Sequence, residues 1–146
     1  MAITTNAIAN SFKKQLLEAT HNFKSSGGNS FKLAMYTNSA TLGKSTTAYA
    51  ANPGGGSNTE VTSSNYTAGG KALVNTGTSL ATNTAITDFS DLSFTGVTLT
   101  ARGALIYNDT ASGAVLDFGG DKTASSGTFT IQFPAFTTSA AILRIA

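Results

Sequence analysis

Few residues of this chain have side chains suited to catalysis. His21 is the only histidine, and the absence of cysteine excludes thiol nucleophiles, thiolate metal sites and disulfides. A histidine can act as a general base, but no serine and carboxylate frame His21 in the pattern of a catalytic triad. We therefore predict a surface or packing role for His21, and we expect no enzymatic activity and no cofactor.

Seven carboxylate side chains are the other candidates for chemistry. Two pairs flank short turns, Asp88 with Asp91 and Asp117 with Asp121, and either pair could bind a cation through oxygen ligands. Neither spacing fits an EF-hand loop, and aspartate is common in turns because its side chain bonds to nearby backbone amides. We expect turn formation rather than a metal site. The same inventory disfavours a small hydrolase. A measurable turnover that is lost on substitution of Asp117 would support that alternative.

The composition indicates one folded domain rich in uncharged polar residues. Of the 146 residues, 11% are charged, against about 25% in an ordinary soluble domain. Aromatic and β-branched residues are too frequent for a charged disordered tail, and the composition does not fit a coiled coil. The length fits a single domain, which we predict over residues 1–146.

The charges and the first residues argue against nucleic-acid and membrane partners. The net charge is +2, and the basic residues are dispersed, with Lys13 and Lys14 as the only adjacent pair. Residues 1–10 lack the basic segment and apolar core of a secretory signal. No apolar run approaches the roughly 20 residues that span a bilayer. We therefore expect a soluble protein made in a cytoplasm.

An amphipathic helix is predicted near the N-terminus. Asn6 could cap a helix over residues 7–23, in which Ile8, Phe12 and Leu16 share one face. The arm and helix together occupy residues 1–28. The apolar face of this helix can close the chain's own core or dock on a partner.

Strand patterns dominate the rest of the chain. Residues 38–58, rich in Gly, Ser and Asn, are predicted to form a mobile surface loop with a short strand near residues 46–50. Turns are expected at residues 108–113 and 119–121. Strand-like segments lie at residues 31–37, 60–66, 71–74, 84–89, 92–100, 102–107, 114–118, 128–133 and 141–145. About eight short strands with frequent turns predict an all-β fold, an antiparallel, jelly-roll-like β-sandwich with one N-terminal amphipathic helix.

Several residue strings carry a resemblance to known proteins. They are residues 1–14 (MAITTNAIANSFKK), 31–37 (FKLAMYT), 66–70 (YTAGG), 101–107 (ARGALIY) and 114–121 (AVLDFGGD). In these strings, and nearly end to end, the chain resembles small structural proteins of tailed bacteriophages, including cyanophages. Some such proteins are capsid cement (decoration) proteins, which are β-sandwich trimers that clamp neighbouring coat subunits on the outer shell.

The resemblance implies a virion component without enzymatic activity. It would be assembled in the host cytoplasm and would lie on the outer capsid surface, bound to the major capsid protein. It would form a homo-oligomer, with a trimer favoured. Apolar or aromatic side chains would carry these contacts. The candidate interface residues are Ile3, Ile8, Phe12, Phe133 and Phe136. The alternative for each is the chain's own core, and for Phe133 that alternative is preferred.

Two other functions are weighed against this one. Related β-sandwiches occur at tail-spike tips, so the chain could be a host-receptor module of a tail fibre or spike. In that case Tyr36, Tyr49 and Tyr66 would be exposed beside the glycine-rich loops and stack on a host-surface glycan. A donor-strand pilin is disfavoured, because such a subunit needs a secretion signal and an unpaired edge strand.

Overall fold

The computed structural model describes residues 3–109 and 111–146. Met1 and Ala2 of the predicted arm, and Thr110 of the predicted turn at 108–113, lie outside these ranges. The described elements are β1 (Ala7–Ile8), α1 (Asn10–Leu17), β2 (Phe31–Tyr36), β3 (Lys71–Ala72), β4 (Asn75–Ala81), β5 (Thr84–Phe89), β6 (Leu92–Asn108), β7 (Ala111–Ile131) and β8 (Leu143–Ile145). The strands form two antiparallel sheets, which confirms the prediction of an all-β sandwich with one N-terminal helix.

The large sheet is built on one long hairpin. Its strand order is β1-β7-β6-β2-β3, and the small sheet has the order β4-β5-β8. β6 and β7 are 17 and 21 residues long and pair from Leu92 with Ile131 to Asn108 with Ala111. The prediction of separate short strands in this part of the chain is therefore wrong.

The predicted turn at residues 119–121 is a bulge within β7. Residues 118–121 lie opposite the single residue Arg102 of β6, and pairing resumes on both sides. Gly119 has a φ of +75°, which glycine adopts at little cost. The glycines therefore mark an irregularity in one strand rather than the end of a strand.

The core consists of two apolar clusters on opposite faces of the large sheet. Leu33 and Met35 of β2 belong to the first cluster, which also includes Phe89 of β5. Ala34 and Tyr36, which alternate with them, belong to the second cluster. Residues 33–36 of β2 are thus covered on both faces, as are residues 103–108 of β6.

The segment 38–58 is mostly exposed and contacts the sheet through a few residues. Ala40 and Leu42 are buried in the second core cluster, so the prediction of a surface loop is wrong for these residues. The short strand expected near residues 46–50 is reduced to a single bridge between Ala48 and Ala111. This segment also covers Tyr36, whose hydroxyl donates to the carbonyl of Ala50.

The helix is shorter than predicted and begins later. Residues 7–8 form β1 on the edge of β7, and the N-cap is Ala9 rather than Asn6. The side chain of Asn6 instead accepts a hydrogen bond from the backbone N–H of Asp117, 2.6 Å away. The helix ends at Leu17 because Ala19 is left-handed, with φ of +58°, and Thr20 N–H returns to the carbonyl of Gln15.

Candidate functional site

Glu60 is a buried carboxylate that accepts three hydrogen bonds from surrounding residues. It follows segment 38–58 and forms a β-bridge with Tyr36, and only 5% of its surface is exposed. Its Oε1 accepts hydrogen bonds from the Tyr66 hydroxyl, at 2.8 Å, and from the Gly69 N–H, at 2.7 Å. Its Oε2 accepts one from the Tyr49 hydroxyl, at 2.8 Å. A buried carboxylate needs such donors to offset the loss of water.

All four tyrosines of the chain gather around this carboxylate. The Tyr66 hydroxyl also accepts the backbone N–H of Met35, at 2.9 Å, and Tyr36 donates to the carbonyl of Ala50. Tyr107 donates to the carbonyl of Gly69, at 2.6 Å, and its ring stacks on Tyr49 with centroids 4.8 Å apart. We call Glu60 and the four tyrosines the tyrosine hub. It ties segments 49–52 and 59–70 to β2 and β6.

The hub favours protonated tyrosines. Burial is the largest cause that raises the pKa of each of the four, and the Glu60 charge raises it further. The hydrogen bond from Met35 lowers the pKa of Tyr66, but the net shift is upward. The hydroxyls therefore stay hydrogen-bond donors across the physiological pH range, and the hub is suited to holding loops in place.

The structure does not present the predicted glycan-contact residues as a surface. Tyr36 is fully buried and Tyr66 is nearly so, which makes the expectation of exposed rings wrong for both. The physical reason is that both hydroxyls have partners within the protein, the carbonyl of Ala50 for Tyr36 and the carboxylate of Glu60 for Tyr66. Tyr49 is half-buried, and one face of its ring is covered by Tyr107.

The candidate interface residues divide into buried and accessible positions. Ile3 and Phe12 are buried in the chain itself, so neither is available for a contact with a partner. Phe133 is half-buried and packs on Phe89, with ring centroids 5.6 Å apart. Ile8 is half-buried in β1, and Phe136 is 41% exposed. Of the five, Phe136 is the most accessible.

His21 lies in the interior, in a packing role. Its ring is 4.5 Å from that of Phe12, and burial lowers its pKa. Nε2 is 2.9 Å from Oε1 of Gln15, and Nδ1 is 3.1 Å from the side-chain amide nitrogen of Asn108. Because that amide can only donate, Nδ1 is the acceptor and the proton resides on Nε2.

Three of the four paired aspartates accept hydrogen bonds from backbone amides, and Asp121 accepts one from the side chain of Asn38, 3.2 Å away. The turn expected between Asp117 and Asp121 is instead the bulge of β7. Asp117 forms an ion pair with Arg102, at 3.0 Å, and accepts the Gly119 N–H. Asp91 accepts the N–H of Phe133, and Asp88 accepts that of Phe89. Within residues 3–109 and 111–146, no group of three or more histidines or carboxylates is placed to hold a metal ion.

An open groove of about 630 Å³ lies beside the bulge of β7. Its walls include Leu116, Phe118 and Phe129, and the last two rings lie 5.9 Å apart. Asp117, the residue of the hydrolase alternative, also lines the groove. Its carboxylate is already held by Arg102 and Gly119, so the groove is apolar with a fixed ion pair at one side.

The small sheet carries an exposed apolar row that the sequence patterns missed. Leu80 of β4 pairs with Ala85 of β5, which pairs with Ile145 of β8, so the three side chains are neighbours on one face. Leu80 is 70% exposed and Ile145 is 55% exposed. β4 was not predicted, although residues 75–81 and 84–89 are separated by the two residues of a hairpin turn. We call these three residues the apolar row.

Comparisons with protein-family models, with curated proteins and with solved structures find no match to this chain. Among the residues that the structure describes, no helix has the length and apolar character needed to cross a membrane.

Proposed function

We propose that this chain is a non-enzymatic structural subunit of a tailed-phage particle. It would act on the outer capsid as a cement protein that clamps neighbouring coat subunits, in a homo-oligomer for which we favour a trimer. The strings at residues 1–14, 31–37, 66–70, 101–107 and 114–121 support the proposal, since they resemble small phage structural proteins.

The apolar row is the observation that carries the proposal. Leu80 and Ile145 expose large apolar surfaces on the same face of the small sheet. Fully burying one such side chain stabilises an assembly by about 1.5–3 kcal/mol, whereas a side chain that stays in water contributes no such stabilisation. A contiguous exposed apolar surface is typical of a protein–protein contact.

The tyrosine hub supports the same function. Glu60 and its three donors hold segments 49–52 and 59–70 against the large sheet, with Tyr66 in the first core cluster and Tyr36 in the second. A subunit whose loops are already ordered loses less conformational entropy when it binds. This is the behaviour required of a small protein that must hold larger subunits together.

Cosedimentation with empty capsids tests the proposal. The capsids are assembled from the major capsid protein of the phage that encodes the chain, and the fraction of chain that pellets is measured. We expect saturable binding by the unmodified protein and binding at least about tenfold weaker for Leu80→Asp. Leu17→Asp is the matched control, because Leu17 is 92% exposed at the end of α1 and lies outside the apolar row.

Two results would contradict the capsid location. One is the absence of any binding by the unmodified protein. The other is saturable binding to host cells instead of capsids, which would support the tail-fibre alternative. Equal weakening by Leu80→Asp and Leu17→Asp would contradict the role of the apolar row.

A further inference from the structure

We infer that β4 is the strand through which two copies of this chain pair edge to edge. The inference rests on the proposed function, since it names a contact between copies on one particle. Within the described residues, β4 pairs with β5 alone, so its outer edge has no strand partner. Residues 24–29 contact only the beginning of β4, at Asn75 and Gly77. An open strand edge is a template for another strand.

The other sheet edges are short, charged or interrupted. β1 and β3 have two residues each, and β8 has three, including Arg144. The parts of β6 and β7 that have no outer neighbour are broken by register shifts. β4 is different, because its pairing with β5 is uninterrupted from Gly77 to Ala81 and this run has no ionisable side chain. After the bulge between Asn75 and Gly77, this run carries none of the charges, prolines or further bulges that protect many edges.

The end of β4 is also open to solvent on both faces. Residues 78–81 are all exposed. No hydrogen bond from a described residue outside β5 reaches their backbone. The backbone groups and the apolar side chain of Leu80 are therefore available to the same incoming strand.

A second copy fits this edge by two-fold symmetry centred on Ser79. Antiparallel pairing about that residue places Thr78 opposite Leu80 of the second copy, and Ser79 opposite itself. Thr78 already pairs with Thr87, which pairs with Leu143. The two three-stranded sheets would thus form one six-stranded sheet. On one face of it, the apolar row of one copy would adjoin the row formed by Thr78, Thr87 and Leu143 of the other copy.

Charge does not oppose this pairing. The ionisable residue of β8, Arg144, lies two strands away from β4. In the paired sheet the two Arg144 side chains would be separated by five strand spacings, or about 24 Å, which is beyond the Debye length of about 8–10 Å. An incoming copy therefore meets an uncharged strand of identical length.

The contact is small compared with a standard interface of about 1,600 Å². We expect it to be weak in dilute solution and to form when copies are held side by side on a particle, where the effective concentration is high. The two-fold pair is distinct from the contact that would close a trimer, and it would join neighbouring trimers.

Cysteine cross-linking of the full chain tests the inference cleanly, because the chain has no cysteine of its own. In antiparallel pairs the Cα atoms are about 4.5–5.5 Å apart, a distance that a disulfide can span. Under mild oxidation at high protein concentration, Ser79→Cys should form disulfide dimers at least about fivefold more than Leu17→Cys, the exposed control. A mixture of Thr78→Cys and Leu80→Cys should form the mixed dimer in preference to either self-dimer.

Failure of the inference is distinguishable from failure of the proposed function. If Ser79→Cys cross-links no better than Leu17→Cys, both in solution and on capsids, the edge pairing is overturned, while capsid binding by the same proteins leaves the proposed function standing. Stronger self-dimers at Thr78→Cys or Leu80→Cys would overturn the register centred on Ser79. Circular dichroism of each variant shows that the exposed substitutions leave the fold intact.

Discussion

The Glu60 carboxylate and the Tyr66 hydroxyl lie 2.8 Å apart in the interior, and the same hydroxyl accepts the backbone N–H of Met35. One tyrosine thus joins a loop carboxylate to the backbone of a central strand. Because Glu60 also accepts from Tyr49 and Gly69, its removal leaves three donors without their partner.

Glu60→Ala is expected to destabilise the protein by about 2–4 kcal/mol, since one buried and two partly buried donors lose their acceptor and an unsatisfied buried group costs about 1–3 kcal/mol. Urea denaturation followed by circular dichroism measures the change. Glu18→Ala is the matched control, because Glu18 is half-exposed and forms a surface ion pair with Lys14, for which less than about 1 kcal/mol is expected. Equal effects of the two substitutions would contradict the structural role of the hub.

Gly70 is required by a close approach to β2. Its φ is +77°, and a Cβ at this position would collide with the carbonyl oxygen of Leu33. Gly70→Ala should therefore destabilise the protein by about 2–4 kcal/mol, as measured by thermal or urea unfolding. Gly120→Ala is the control, because nothing lies within 4 Å of a Cβ there. A neutral Gly70→Ala would show that the segment can move away from β2.

Stability should fall in mild acid because of His21. Burial lowers its pKa below the ordinary 6.5, so the unfolded chain binds a proton more readily than the folded chain. The stabilisation is complete above pH 6.5 and is lost as the pH falls through the folded-state pKa. Protonation would also place a donor on Nδ1 opposite the donor amide of Asn108.

The pH test compares the unmodified protein with His21→Phe, which keeps an aromatic ring against Phe12. Free energies of unfolding are measured from about pH 8 to about pH 5, the range in which histidine titrates. Burial raises the pKa of Asp88, so acidification through Asp88 favours the folded state, opposite to the effect of His21. Because Asp88 is present in both proteins, its effect cancels in the comparison. The unmodified protein should lose more stability than His21→Phe on acidification. Parallel curves would contradict the assignment to His21.

Sequence patterns predicted the class of the fold better than its connections. The alternation in residues 31–37 and the run 84–89 correspond closely to β2 and β5. The predicted strands 92–100 and 102–107 are one strand, β6, and the segments 114–118 and 128–133, divided at the glycine-containing turn 119–121, fall largely in a second long strand, β7. Glycine marks both turns and bulges, and only the pairing partner decides between them.

The tyrosine hub could not be derived from sequence spacing. Tyr36 and Tyr107 come from strands far apart in the chain, and Tyr49 comes from a segment whose composition is typical of a surface loop. Their meeting depends on the fold of segment 38–58 over the sheet. A local signal did exist for β4, because two residues separate it from β5, as in a tight hairpin.

The favoured trimer predicts a definite mass in solution. Light scattering at micromolar concentration should give about three times the chain mass of 14.8 kDa. A mass equal to that of one chain would contradict trimer formation in the absence of coat subunits. Exposed Phe136 is the accessible member of the predicted interface residues. Phe136→Ala should therefore shift the mass toward that of one chain.

Immunogold electron microscopy of intact particles tests the central claim most directly. Antibodies raised against the purified chain are applied to particles of the phage that encodes it, and mass spectrometry of the same particles measures its copy number. We expect gold label over the whole head surface and many copies per particle. Label confined to the tail, or purified particles that lack the chain, would contradict it.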